Sequence, residues 1–314
     1  MHLNQQASLP KGFEVVGVRR YVRERFPKTH AALVALRSHV QSGITTNLAI
    51  VQKLDSFYPN SSQYWRYPEL TYSCANNLAR QLGTIQSQFK GDGGGPFVLT
   101  AGEFATANEG WQLGNLLSAY GSDKAQLHAY HLVYWYVLEQ LGRYNPLRLL
   151  EVGLGTNNPV LISTMGSAGS PGASLKAFRD YLPLANIYGV DVDIDILFED
   201  DRISTTWTDQ LDSDSLAAIG SRLGTDTFDL IVDDGLHTVE ANLNTLLFAV
   251  KSLSDAGWFI VEDIPERSLP VWQVVQRIFH ETGWASALVQ GNVAFMFLLT
   301  RQQGGRSGLS KFAV

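Results

Sequence analysis

The residues best suited to chemistry in this chain are two short acidic clusters, one of them followed closely by an imidazole. Asp233-Asp234-Gly235-Leu236-His237 ends one apolar run, and Glu262-Asp263 stands near the end of another. Four carboxylates brought to one place repel one another unless something neutralises them. A hard divalent cation held through oxygen ligands does so, and it can also hold a hydroxyl and lower its pKa. Asp234, Glu262 and Asp263 are the candidate ligands, with Asp233 turned inward. His237, three residues beyond Asp234, is the candidate general base for such a hydroxyl. The competing reading is that these carboxylates cap the helices that follow them or are simply solvated.

A third segment, Glu151-Val152-Gly153-Leu154-Gly155-Thr156-Asn157, ends a strand-like run in a glycine-bearing turn. Glycines here let a ligand approach the backbone closely, so Gly153, Gly155 and Asn157 are candidate contacts. A dinucleotide-binding turn would want a third glycine at position 158, where this chain has Asn158, and no pyrophosphate cradle is evident. Glu151 inside the strand suits a cationic ligand, and Asp191 at the tip of the next strand can accept hydrogen bonds from ribose hydroxyls. This combination points to S-adenosylmethionine (SAM) rather than a dinucleotide. Asp193 is expected to face solvent at the strand end.

The elements that must position these residues alternate between short apolar runs and helix-length segments. Residues 148–153, 186–193, 202–209, 228–235 and 257–264 read as strands without polar alternation, as in a parallel sheet covered on both faces. Between the fourth and fifth, residues 239–255 place Leu243, Leu246, Leu247, Val250 and Leu253 on one helical face. Residues 285–300 form two β-rich runs broken at Gly291-Asn292, an antiparallel hairpin. The expected fold is α/β, a doubly wound, mainly parallel seven-stranded Rossmann-like sheet with a C-terminal antiparallel hairpin, preceded by a mostly helical N-terminal region. Residues 1–110 form that auxiliary region, 111–304 the sheet domain and 305–314 a flexible tail. Within the first, 29–57 carries Leu33, Leu36, Val40, Ile44, Leu48 and Val51 at helical spacing, while 58–70 and the glycine run 91–97 punctuate it. The stretch 157–172 is long for a turn into a crossover helix, and its Gly-Ser-Pro content suggests an ordered lid or specificity loop.

A net charge of −6 provides no global basic field, which argues against a protein that grips nucleic acid through its phosphates and favours a small-molecule partner. Cys74 is the single cysteine, so neither an internal disulfide nor a cysteine-rich zinc site can form, as suits a reducing cytoplasm. The first residues lack a secretory pattern and no apolar run is long enough to span a bilayer, so a cytoplasmic protein without a membrane partner is expected. His280 reads as a helix C-terminal residue, and His30 and His39 have no acidic partners at evident spacing. Trp65, Tyr67, Tyr72 and Trp111 read as core more readily than as an acceptor pocket.

In order and spacing, residues 121–134, 149–159, 171–183, 187–193, 208–210, 233–238 and 261–264 resemble bacterial SAM-dependent O-methyltransferases. Within that group they are most similar to the metal-dependent macrolide-sugar enzymes of the macrocin and mycinamicin type. The resemblance implies magnesium at Asp234, Glu262 and Asp263, with His237 as general base. It implies SAM contacts at Glu151, Gly153, Asp191 and Asp209, with Asp209-Gln210 at the adenine end. Ser122 and Lys124 of the GSDK segment, with His128, would lie over the cofactor pocket, unless Ser122 or Asp123 merely caps a helix. An extra N-terminal region in such enzymes shapes homo-oligomers and covers the active site. A scaffold holding SAM for pericyclase-like or oxygenase-like tailoring, without methyl transfer, is the rival reading.

Overall fold

The computed structural model describes residues 98–280, 282, 284–301 and 309, together with 73, 75–78, 80 and 81. The helix expected over 29–57, the segments 58–70 and 91–97, His30, His39, Cys74, Trp65, Tyr67 and Tyr72, and the His280 side chain lie outside the described residues. So does the tail 305–314, apart from residue 309.

Five apolar runs become parallel strands: β2 (Arg148–Val152), β3 (Asn186–Asp191), β5 (Ile203–Trp207), β6 (Phe228–Asp233) and β7 (Leu253–Ile264). The hairpin is β8 (Trp284–Gln290) and β9 (Phe295–Arg301), antiparallel to each other, with β9 antiparallel to β7. Two short edge strands complete the sheet, β1 (Val98–Thr100) parallel to β8 and β4 (Glu199–Asp200) antiparallel to β5. Among the described residues the order is β1-β8-β9-β7-β6-β2-β3-β5-β4. The expected seven strands are therefore present, flanked by two more, and β1 comes from the segment assigned on sequence to the helical N-terminal region.

The strands are apolar on both sides because each face is covered. Leu149, Ile187, Leu230, Val232 and Ile260 point into one layer with α1 (Ala107–Tyr120), α2 (His131–Leu141) and α3 (Ala173–Tyr181). Leu309 is buried in that layer too. Leu150, Val152, Ile231, Phe259 and Val261 point into the other, with α4 (Ser213–Ala217), α5 (Ile219–Leu223), α6 (Val239–Ser252) and α7 (Leu269–His280). Consecutive residues thus enter opposite cores, which removes the polar alternation of a half-exposed strand. Among the described residues no helix is long and apolar enough to cross a membrane.

Two features aim the chain at the site. Thr106 and Glu109 form a capping box that starts α1, and Gly121 at φ +85° stops it, releasing residues 121–130 as turns across the sheet edge. In β7 the pairing with β9 shifts register between Val261 and Ile264. The two acidic residues, Glu262 and Asp263, lie in this irregular stretch, with Asp263 at φ +53°.

Candidate functional site

The sheet reverses its order at β2, whose neighbours are β3 and β6, so a crevice opens beyond the carboxyl ends of these strands. Val152 pairs with Asp233, and Asp233 with Val261, which brings Gly153, Asp234 and Glu262 to one level at that edge. A cavity of about 610 Å³ lies there, a size that suits a nucleoside-bearing ligand. Gly153, Gly155, Asp191, Asp209, Gln210, Asp234, His237 and Asp263 all contribute to its walls. Residues 160–165 of the long loop after β2 form the outer wall, with Val160 and Ile162 strongly exposed.

The glycine turn is held from below. Asp191 accepts hydrogen bonds from the Leu154 N–H at 2.7 Å and the Asp193 N–H at 2.8 Å, while burial pushes its carboxyl pKa up against the pull of those donors. Asp193, expected in solvent, is buried and accepts a hydrogen bond from the Thr156 hydroxyl, because the turn folds back over the strand end. Replacing Asp191 with alanine leaves two backbone donors unpaired. The expected loss is about 2 kcal/mol of stability together with weakened binding of S-adenosylhomocysteine (SAH), measured by urea unfolding and calorimetry. Unchanged stability would show that Asp191 does not support the turn.

Several expected contacts serve the scaffold behind the cavity. Glu151 is fully buried, accepts a hydrogen bond from Ser174 Oγ at 2.6 Å and lies outside the cavity walls. A strand residue between two packed layers points into a core, and the Glu151 side chain does so here. Asn157 donates to the Gly169 carbonyl and Ser122 Oγ accepts from the Lys124 N–H, so each braces its own loop. Asp233 is turned inward, accepting from Gln210 Nε2 at 2.6 Å and Asn242 Nδ2 at 3.0 Å, and burial raises its pKa. The Gln210 amide also donates to Thr245 and accepts from the Leu236 N–H, which fixes the turn leading to His237.

The acidic clusters separate into two groups. In the outer group, one ligand atom each from Asp234, His237 and Asp263 lies within 4.8 Å of the others. His237 Nε2 is 3.9 Å from both Asp234 Oδ1 and Asp263 Oδ2, too far for a hydrogen bond to either. The second oxygen of each carboxylate is occupied, Asp263 Oδ1 by the Tyr130 hydroxyl at 2.8 Å and Asp234 Oδ2 by the Lys124 ammonium. His237 and Asp263 both adopt left-handed backbone, φ +55° and +53°, which only surrounding structure can impose on such residues. His237 Nδ1 is buried without a partner among the described residues. Two carboxylate oxygens and an imidazole nitrogen, left free on one point, fit a divalent cation.

The inner group holds Glu262, expected as a ligand and here engaged by the chain's own side chains. Its oxygens meet the Lys124 ammonium at 2.7 Å and the Tyr134 hydroxyl, while its strand neighbour Asp263 reaches the cavity. Burial pushes its carboxyl well above the usual range, against the pull of Lys124. Lys124, expected over the pocket, is instead buried beneath it and also lies 3.3 Å from Glu151. Burial alone would lower its pKa, but Asp234, Glu262 and Glu151 hold it well above the ordinary value. His128 stacks on Tyr130 and lies 3.6 Å from Asp123 and 3.4 Å from Asp263. Burial opposes its charge, and these carboxylates raise its pKa in spite of it. Tyr130 and Tyr134 were not expected at the site from the sequence. Their four-residue spacing on one helical face, directly after the GSDK segment, was the available signal.

No family model matches the chain. Over 162 residues, 51% of its length, it is 31% identical to the 8-demethyl-8-(2-methoxy-alpha-L-rhamnosyl)-tetracenomycin-C 3'-O-methyltransferase of Streptomyces olivaceus, of which it covers 38%. It is 30% identical over 124 residues, 39% of its length, to the mycinamicin VI 2''-O-methyltransferase of Micromonospora griseorubida, covering 28% of that protein. Among solved structures, the MycE methyltransferase from the mycinamycin biosynthetic pathway, in complex with Mg, SAH and mycinamycin VI, superposes with a TM-score of 0.50 at 20% identity. The superposition covers 61% of this chain and 55% of that one. The chain thus spans well under half the length of these curated relatives, and the structural likeness establishes a class I methyltransferase fold.

Proposed function

We propose that this protein is a SAM-dependent O-methyltransferase, assisted by a divalent cation, acting on a hydroxyl of a sugar or natural-product intermediate. The observation that carries the reading is the meeting of Asp234, His237 and Asp263 at the mouth of a cavity floored by the glycine turn. The curated relatives are named for O-methylation of glycosylated natural products, and the MycE structure holds Mg and SAH, which supports both cofactors. When bound, SAM supplies a methyl group activated on a sulfonium, and magnesium on Asp234 and Asp263 supplies Lewis acidity beside the acceptor hydroxyl.

The chain's own residues do the rest. Gly153 and Gly155 let the ligand close on the backbone, and Asp191 and Asp209 offer carboxylate oxygens along the cavity wall. His237 Nε2 takes the acceptor's proton, from a position where neither neighbouring carboxylate occupies its lone pair. Residues 160–165 form one wall of the cavity. A scaffold that bound SAM without transferring its methyl would have no use for a base beside two free carboxylate oxygens. The test is SAH formation from SAM with a glycosylated polyketide acceptor, before and after exhaustive chelation. Transfer lost on chelation and restored by Mg2+ is the expected result, and full activity without metal would overturn the cation's part.

A further inference from the structure

Lys124 lies outside the cavity walls, yet its ammonium is buried where a single positive charge is costly unless it is fully paired. Its partners are Asp234 Oδ2, Glu262 Oε2 at 2.7 Å and Glu151 Oε1 at 3.3 Å. Asp234 belongs to the outer group proposed to hold the divalent cation, and Glu262 is the neighbour of Asp263 in that group. An ammonium and a divalent cation make the same demand on a carboxylate, namely its free oxygen lone pairs.

We infer that Lys124 is an internal competitor for the divalent cation. It holds Asp234 Oδ2 while the cation is absent and gives that oxygen up as the cation binds, withdrawing towards Glu151. Glu151 is suited to be that retreat, because Ser174 fixes its other oxygen and no part of it reaches the cavity. The lysine is therefore a positioning residue. It keeps the empty site folded and sets the cation's affinity below what the carboxylates alone would give. This inference rests on the proposed metal reading.

Calorimetric titration of the full chain with Mg2+ tests it. Lys124→Met is expected to bind Mg2+ roughly tenfold or more tightly than the wild type, since a charge-assisted hydrogen bond to a ligand carboxylate no longer has to be broken. Glu151→Gln is expected to bind it more weakly, because the ammonium then has nowhere to withdraw. Through-space charge alone would push each variant in the direction just stated, so a second readout decides. In wild-type protein with isotope-labelled lysine, the Lys124 ammonium resonance, identified by its loss in Lys124→Met, should shift in step with Mg2+ saturation. A Lys124 signal unmoved at saturating Mg2+, or binding by Lys124→Met no tighter than wild type, overturns the competition. If Lys124→Met does not fold, Lys124→Arg identifies the resonance, and the wild-type spectrum with Glu151→Gln carries the test. If the wild type binds no Mg2+ at all, the metal reading itself falls. If Asp263→Asn abolishes Mg2+ binding while the Lys124 signal stays silent in the wild type, only the competition is lost.

Discussion

Replacing His237 with asparagine is expected to lower kcat for methyl transfer by roughly a hundredfold to ten-thousandfold while leaving SAH binding intact. Asparagine is the informative substitution because position 237 sits at φ +55°, a conformation that asparagine tolerates better than alanine. The backbone that positions Asp234 is thereby preserved, and the change is confined to the imidazole. The loss is expected to be large because, among the described residues, no other basic nitrogen lines the cavity walls. Lys124 is buried behind Asp234, and His128 stands outside the walls, turned towards Asp123 and Asp263. Steady-state kinetics with parallel Mg2+ and SAH calorimetry separates the possible roles. A fall in kcat at unchanged Mg2+ affinity assigns the base. A proportionate fall in Mg2+ affinity makes His237 a third ligand instead, and unchanged turnover removes it from the mechanism.

The sheet and its site were readable from the sequence to different depths, for physical reasons. Strands covered on both faces announce themselves as uninterrupted apolar runs, and the parallel arrangement then forces their acidic ends to a common edge. The convergence of Asp234, His237 and Asp263 follows from that alone. What lay beyond reach was direction. Glu262 and Asp263 are adjacent in a strand, so alternation separates them, but which one meets Lys124 and which the cavity depends on how the rest of the chain packs around β7. Lys124 meets Asp234 across 110 positions of sequence, a pairing decided by how the turns after Gly121 cross the sheet edge. Crowded carboxylates need positive charge nearby, and the chain itself supplies part of it as Lys124. Burial depth was not legible either. Glu151 is buried against Ser174, and Asp193, expected in water, is covered by Thr156. β1 escaped notice because three residues carry no periodicity.

Gly153→Ala is expected to remove more than about 3 kcal/mol of stability and to abolish SAH binding, a larger effect than at any other glycine of the turn. Two independent constraints act at this position. Its φ of +92° is open to glycine and strained for any L side chain. An added Cβ would also stand 2.3 Å from the Asp234 carbonyl oxygen and 2.6 Å from Gly235 Cα, and neither is a side chain that can swing aside. The backbone on both sides is already committed, since the Gly153 N–H donates to the Val190 carbonyl and the Asp234 N–H donates to the Val152 carbonyl, each at 2.8 Å. Relief therefore requires β2 and β6 to part at their carboxyl ends, which displaces Asp234 and with it the group that meets His237. Gly155→Ala provides the control. Its φ is +75°, but the Cβ would meet Met165 Cε and Sδ, the far end of a flexible side chain, so a cost of about 1 to 2 kcal/mol is expected, with SAH binding weakened and not lost. Urea unfolding and SAH calorimetry on the two variants give the comparison. Equal losses would show that left-handed backbone alone sets the requirement. A stable, ligand-binding Gly153→Ala protein would show that the close approach of β2 and β6 is not needed.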